Sequence, residues 1–74
     1  MEKTIYSDDH KYLVEKLIKA RRDAGLAQKK VAKILNRSQS YISKIESGQR
    51  RVDIIQLKEF ARIYKKTLNF FIKR

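Results

Sequence analysis

The sequence contains no proline and only two glycines, Gly25 and Gly48, and this scarcity of helix breakers is the feature that most constrains the fold. Proline and glycine are the residues that most often interrupt regular structure. Along the chain, apolar residues recur every three or four positions, which is the helical spacing, and no stretch alternates as a β-strand does. We therefore predict an all-α fold with short turns, in which Gly25 ends the first helix and Gly48 ends the third.

Chain length and the lack of cysteine limit what can stabilise this fold. A chain of 74 residues makes one domain, which we assign to residues 8–74, with residues 1–7 as an N-terminal arm. Without cysteine there are no disulfides and no thiolate metal sites. The single histidine, His10, is expected at the surface or in a helix cap. The fold must then depend on apolar packing, with no metal and no cofactor.

Positive charge is the second strong feature of the sequence. Nineteen lysines and arginines against eight acidic residues give a net charge of +11, and so large an excess predicts a polyanionic partner. Between Leu26 and Val52 the single acid is Glu46. The basic residues of this stretch are Lys29, Lys30, Lys33, Arg37, Lys44, Arg50 and Arg51. A charge run alone is usually a solvated face, but the spacing of the other residues here favours contacts with phosphates.

The middle of the chain has the pattern of two short helices joined by a tight turn. A second helix is predicted over residues 28–35 and a third over residues 39–47. The turn lies at Asn36 and Arg37, and Ser38 is a good N-cap for the third helix. The expected inward side chains are those of Val31, Ile34, Leu35, Ile42 and Ile45. Two such helices, the second with small and amide side chains outward, match the shape of a DNA major groove.

The flanking segments complete an all-helical chain. The first helix begins at Ser7 or Asp8, either of which can cap it. A fourth helix opens at Asp53, whose spacing from Gln56 is that of a capping box. Its inward side chains are expected to be Ile54, Leu57, Ala61 and Tyr64, with Phe60 beside them. A last short turn over residues 68–72, capped by Thr67, follows.

The segment from Gly25 to Gly48 resembles the helix-turn-helix of the phage repressor and Cro type, also called the XRE family. The run SQSYISKIESGQR at residues 38–50 is its most specific part, because small, apolar and glycine positions match together. Similarity extends from about His10 to Phe71. The resemblance implies a compact five-helix, repressor-like DNA-binding domain. Helices 2 and 3 would form the helix-turn-helix, and the third would enter the major groove of double-stranded DNA.

The resemblance also implies roles for individual side chains. Gln39, at the start of the third helix, is the strongest candidate base reader, because a side-chain amide can pair with adenine. Lys44 could equally donate to guanine or reach a phosphate, and Tyr41 could pack only or also place its hydroxyl on a phosphate. The residues expected to read bases are Gln39, Ser40, Ser43 and Lys44. Those expected at the DNA backbone are Gln28, Lys29, Arg37, Tyr41, Ser47, Arg50 and Arg51.

One ion pair and three departures from the family pattern concern stability. In the family, the acid that matches Glu46 commonly pairs with an arginine at the position held here by Arg21, so a structural pair rather than a catalytic one is expected. Ala27 stands where a capping Thr or Ser is usual, Asn36 where a turn glycine is usual, and Lys65 where a glycine often ends a helix. These changes bear on local stability rather than on the fold.

The resulting expectation is a transcription regulator without enzymatic activity, a repressor that binds a palindromic operator as a homodimer. The C-terminal cluster is defined as Tyr64, Leu68, Phe70, Phe71 and Ile72, and it is expected either to form a dimer or partner surface or simply to cover the core. The alternative function is an antitoxin or controller-type protein that binds a partner protein through this cluster.

Other classes of function find less support in the sequence. The spacing of the serines, His10 and the aspartates suggests no catalytic set. Neither a membrane nor RNA is favoured as a partner, since the apolar faces are needed for the core and no RNA-binding motif is present. The first residues lack the apolar region of a signal peptide, so a cytoplasmic protein is expected.

Overall fold

Four α-helices and one short 3-10 turn make up the fold. The computed structural model describes residues 7–73. The helices are α1 (Asp8–Asp23), α2 (Gln28–Leu35), α3 (Gln39–Glu46) and α4 (Ile54–Tyr64), and the 3-10 turn is Leu68–Phe71. No strand occurs within residues 7–73, which confirms the all-α class. The predicted N-terminal arm falls on residues 1–6, outside the described residues, and on Ser7.

The prediction of a fifth helix is not confirmed, because the segment after α4 makes a single 3-10 turn. The Thr67 side chain accepts no capping hydrogen bond, contrary to the prediction, and Ile72 has already left helical geometry with φ −107° and ψ 122°. A 3-10 turn has poorer hydrogen-bond geometry than an α-helix and seldom extends beyond one turn. The segment Leu68–Phe71 is therefore a single turn that packs on α1 and α4.

Side-chain caps begin three of the four helices. Ser7, rather than Asp8, caps α1 by accepting a hydrogen bond from the backbone N–H of His10. Ser38 caps α3 by accepting from the N–H of Tyr41 at 3.2 Å. The predicted capping box is confirmed, since Asp53 and Gln56 exchange hydrogen bonds of 2.8 and 2.9 Å. Each such cap is worth about 1 kcal/mol, so helix starts are largely set by local sequence.

A residue with left-handed backbone geometry lies at or just after the end of each of the four helices. Gly25 and Gly48 have φ values of 72° and 84°, which glycine reaches without steric cost. Asn36 and Lys65 take the same conformation at φ 58° and 59°. Asparagine tolerates it, whereas for lysine it costs about 1 to 2 kcal/mol. Asn36 is thus well suited to the α2–α3 turn, whereas Lys65 leaves the end of α4 strained.

One apolar core joins all four helices and the 3-10 turn. Its largest fully buried side chains are Phe60, Phe71, Leu17, Ile42, Ile45 and Val31. Helices α2 and α3 pack against each other, and α1 contacts α3, α4 and the 3-10 turn. None of the helices within residues 7–73 is long and apolar enough to cross a membrane.

Two side chains predicted to point inward are instead exposed. Ile34 is 49% exposed, because the buried stripe of the short helix α2 runs through Val31 and Ala32 rather than through Val31 and Ile34. Ile54 is 55% exposed, because it opens α4 one turn before the core begins at Leu57. Helical spacing thus identified the buried face of α4 but not where it begins, and it misplaced one edge of the buried face of α2.

His10 is a third correction, since it is buried and not a surface residue. Only 9% of it is exposed, and its Nε2 lies 3.3 Å from the carbonyl oxygen of Gly48. Gly48 follows α3, 38 positions further along the chain. The imidazole therefore connects the first turn of α1 to the end of α3 and helps to hold α3 against the core.

The C-terminal cluster mostly covers the core, as the simpler of its two interpretations expected. Tyr64 and Phe71 are 3% and 1% exposed, so the prediction that they form an outer surface is wrong. Leu68 and Phe70 are half-buried, and Ile72 is exposed. The cause is the 3-10 turn itself, which folds back on α1 and turns Phe71 inward.

Candidate nucleic-acid interface

Helix α3 has a buried face and an exposed polar face. Its apolar side chains, Ile42 and Ile45, are 1% and 2% exposed. The side chains on the opposite face are all exposed, and they are Gln39, Ser40, Ser43 and Lys44. These are the four predicted base readers, and their spacing puts them along one side of the helix. The structure thus leaves them available to a groove, with their backbone fixed by the core beneath.

Basic side chains surround this face, and six of them have no carboxylate partner within the described part of the chain. Among residues 7–73, six of the seven basic side chains between Leu26 and Val52 have no acidic partner, namely Lys29, Lys30, Lys33, Arg37, Lys44 and Arg50. All are exposed, as is Arg51. The one acid of the stretch, Glu46, has a side chain only 7% exposed. Because Glu46 is turned inward, it does not offset the positive charge of these six side chains at the surface.

Glu46 is held inside by a bidentate pair with Arg21. Arg21 donates from Nε to Glu46 Oε2 at 2.7 Å and from Nη2 to Oε1 at 3.0 Å. Its third nitrogen donates to the carbonyl of Leu26 at 2.9 Å. Gln28, at the start of α2, also donates to Glu46 Oε1 at 3.0 Å. The cluster ties α1 and the start of α2 to the end of α3.

Two residues predicted to contact the DNA backbone already form hydrogen bonds within the protein. The Gln28 amide nitrogen donates to Glu46, so a phosphate would have to compete for this donor. The Ser47 hydroxyl donates to the Lys44 carbonyl at 3.1 Å, and its backbone N–H donates to Ser43. The roles of Gln28 and Ser47 at DNA stay predictions.

The titration of Tyr64 is shifted mainly by burial and to a smaller extent by the charges of the same ion pair. Burial raises the pKa of Tyr64 well above its ordinary value, and the Glu46 carboxylate adds to the rise while Arg21 opposes it. Hydrogen bonding to Glu46 in turn raises the pKa of Arg21. The Tyr64 hydroxyl is buried without a hydrogen-bond partner among the described residues. An unpaired buried hydroxyl is a cost to the fold.

Replacing Tyr64 with phenylalanine is therefore expected to stabilise the chain by about 1 kcal/mol at pH 7. In the unfolded chain Tyr64 loses its proton near pH 10, whereas the folded chain holds it to higher pH. Titration of Tyr64 therefore leaves the free energy of unfolding of the wild type unchanged below about pH 10 and lowers it as the pH rises from there, so the advantage of Tyr64→Phe grows above pH 10. Urea unfolding at pH 7 and above pH 10 measures both effects. The control is Tyr12→Phe, and a Tyr64→Phe variant that is less stable than wild type at pH 7 contradicts this account.

Tyr41 is buried on the flank of α3 beneath two arginines. The residue is 9% exposed. The guanidinium carbons of Arg37 and Arg50 lie 4.7 and 5.0 Å from its ring centroid, which is within cation–π range. Arg37 precedes α3 and Arg50 follows it, so one ring brings together cations from both ends of the helix.

Comparison with known proteins agrees with this geometry. The sequence model of the helix-turn-helix family matches residues 17–71, which is well over half of the chain. The chain belongs to the XRE-type helix-turn-helix family. This helix-turn-helix protein is accordingly a DNA-binding transcription regulator. No curated protein is similar enough to the chain to count as a match.

In this helix-turn-helix protein, α2, the left-handed turn at Asn36 and α3 form the motif itself. Sequence reasoning missed two of its features. The four-residue spacing of Arg37 and Tyr41 was a visible signal for their contact, since such pairs are neighbours on or near a helix. The bond from Gln28 to Glu46 had no local signal, because the two residues meet only through the packing of α2 on α3.

Proposed function

We propose that the protein is a sequence-specific repressor that binds double-stranded DNA in the cytoplasm, with α3 in the major groove. The observation that carries the proposal is the exposed polar face of α3 beside six exposed cations that have no acidic partner among residues 7–73. Polar groups with amide and hydroxyl donors can read base edges, whereas unpaired cations supply affinity for any phosphate backbone. Both requirements of specific DNA binding thus meet on one side of the fold.

Gln39 is proposed as the principal base reader. It is the first residue of α3, it is exposed, and the Ser38 cap fixes the backbone on which it stands. Its amide can donate to N7 and accept from N6 of adenine as a pair of hydrogen bonds. Ser40 and Ser43 lie on the same face, and Lys44 is placed for either guanine or a phosphate.

Phosphate contacts are proposed for the side chains around the reading face. They are Gln28, Lys29, Arg37, Ser47, Arg50 and Arg51. Tyr41, predicted among them, is 9% exposed and lies beneath two of these arginines. Such contacts set the position of a protein on the duplex and carry no sequence information directly. The structural Arg21–Glu46 pair lies beneath them and is proposed to hold α3 at a constant angle to the core.

A homodimer on a palindromic operator is the proposed assembly. Two copies would place their reading helices about 34 Å apart, one turn of DNA, in successive major grooves. Of the C-terminal cluster, Leu68, Phe70 and Ile72 keep exposed area for the pairing. Occupancy of the operator excludes polymerase without any further contact, which favours repression over activation.

Replacing Gln39 with alanine is expected to cost about 1 to 3 kcal/mol on the operator and little on scrambled DNA. The matched variant, Arg50→Gln, is expected to weaken binding to both duplexes alike, because it removes a phosphate contact. Competition binding with each variant at constant salt gives the ratio of operator to scrambled affinity. Equal losses on both duplexes for Gln39→Ala would remove Gln39 from base reading.

A further inference from the structure

The ring of Tyr41 has a geometry that simple core packing does not require. The residue is 9% exposed, and two guanidinium groups from separate segments approach its ring, Arg37 at 4.7 Å and Arg50 at 5.0 Å from the centroid. These distances place the two guanidinium carbons no more than about 10 Å apart, since both refer to the same centroid. The two cations therefore belong to one local cluster on the ring of Tyr41.

Two neighbouring cations without an acid between them favour an anion. Neither Arg37 nor Arg50 has a carboxylate partner among residues 7–73, and both are exposed. Within residues 7–73, their mutual repulsion is offset by the negative face of the ring and by solvent. An anion that bridges the pair would relieve the repulsion and add charge-assisted hydrogen bonds.

Contact with the ring also leaves the two arginines able to bind an anion. A guanidinium group that lies over an aromatic ring uses its flat face, and its five N–H donors point outward in the plane of the group. A flexible arginine would have to be ordered by DNA at an entropic cost, whereas a stacked one is ordered in advance. The buried ring is rigid, so the arginines at both ends of α3 keep a constant position relative to the reading face.

We infer that Tyr41 is a positioning residue that joins Arg37 and Arg50 into one preorganised site for phosphodiester groups of a single DNA strand. The inference rests on the proposed function, because it assigns this site to the backbone beside the groove that α3 reads. It differs from a direct contact of the Tyr41 hydroxyl, since the ring face and not the oxygen holds the arginines in place.

The test compares Tyr41→Phe with Tyr41→Leu in binding to the selected operator and to scrambled duplex at several salt concentrations. Phenylalanine keeps the ring, so affinity within about threefold of wild type and an unchanged salt slope are expected. Leucine removes the ring, so weaker binding to both duplexes is expected, with a slope smaller by about 0.9 for each phosphate that the variant no longer neutralises. Lys58→Gln, an exposed charge on α4, serves as the charge control.

A second comparison separates positioning from stability. In an Arg37→Gln, Arg50→Gln background, Tyr41→Leu is expected to add no further loss of affinity, because its effect passes through the two arginines. Protein concentrations are corrected for the active fraction by titration against excess DNA. The inference would be overturned by any of three results. Tyr41→Leu could lose as much affinity in this background as in the wild type, Tyr41→Leu could leave the salt slope unchanged, or Tyr41→Phe could cause a large loss of affinity.

The arginines also provide a test that does not need a Tyr41 variant to fold. If they share one site, the losses for Arg37→Gln and Arg50→Gln are expected to be non-additive in the double variant, and additive losses would overturn the inference. Failure of the proposed function is distinguishable, since it would show as equal affinity of wild type for operator and scrambled duplex. The salt slopes measured on any duplex would still decide the role of Tyr41.

Discussion

Replacing Glu46 with alanine is expected to destabilise the folded chain by about 3 to 5 kcal/mol, because it leaves the Arg21 guanidinium buried without its counter-charge. The Arg21 and Glu46 side chains are only 14% and 7% exposed. The carboxylate also accepts from Gln28, so one substitution removes three hydrogen bonds at the junction of α1, α2 and α3. A domain of this size has a total stability of about 4 to 11 kcal/mol, so the loss is a large part of it.

Chemical unfolding followed by circular dichroism measures this effect, and the chain offers a matched control. Lys19 and Asp23 form an ion pair at 3.6 Å with side chains 58% and 42% exposed. Removing Lys19 is expected to cost less than about 1 kcal/mol, because water screens an exposed pair. A double variant, Arg21→Met with Glu46→Leu, is expected to lose less than Glu46→Ala alone, since no charge is left unpaired. If Glu46→Ala cost no more than Lys19→Ala, the pair would have no structural role.

Replacing Phe71 with alanine is expected to cost about 3 to 5 kcal/mol, which is typical of a large aromatic side chain removed from a core. Phe71 is 1% exposed although it lies in a four-residue 3-10 turn near the end of the chain. Its ring meets that of Phe70 edge to face, with centroids 5.2 Å apart. The cost would therefore include both the lost free energy of burying the ring and the lost contacts between the turn and α1.

The neighbouring residue supplies the control for Phe71. Ile72 is 49% exposed, and Ile72→Ala is expected to change the free energy of unfolding by less than about 0.5 kcal/mol. Equal, small effects for both variants would mean that the turn is not docked in solution. The C-terminal cluster would then be free for a partner protein, and the antitoxin or controller interpretation would regain its support.

Local signals in the sequence predicted the elements of the fold well. Ser38 caps α3 and Asp53 caps α4 because a side-chain oxygen three residues before a free N–H acts without help from distant residues. Glycine at position 25 ends α1 for an equally local reason, its positive φ. The starts of α2, α3 and α4 and the exposed face of α3 were predicted correctly, and the end of α3 was predicted to within one residue.

Features that depend on how distant segments pack were not predictable in the same way. Whether Ile34 or Ala32 lies inward depends on where α3 crosses α2, and the burial of His10 depends on Gly48 in another element. Phe71 is buried because the turn folds onto α1, which no spacing rule encodes. For the candidate site the same division holds. The exposed face was predicted from helical spacing, whereas the stacking of Arg50 on Tyr41 required the fold.

The central claim is that α3 reads base sequence, and selection from a pool of random duplexes by the purified protein tests it most directly. Sequencing of the bound DNA after several rounds at two salt concentrations is expected to show an enriched inverted repeat with half-sites about one helical turn apart. Gln39→Ala is expected to relax the preference within each half-site. Salt-sensitive binding without any enriched sequence would contradict the claim, because it would mean that the basic surface binds phosphate and α3 reads nothing.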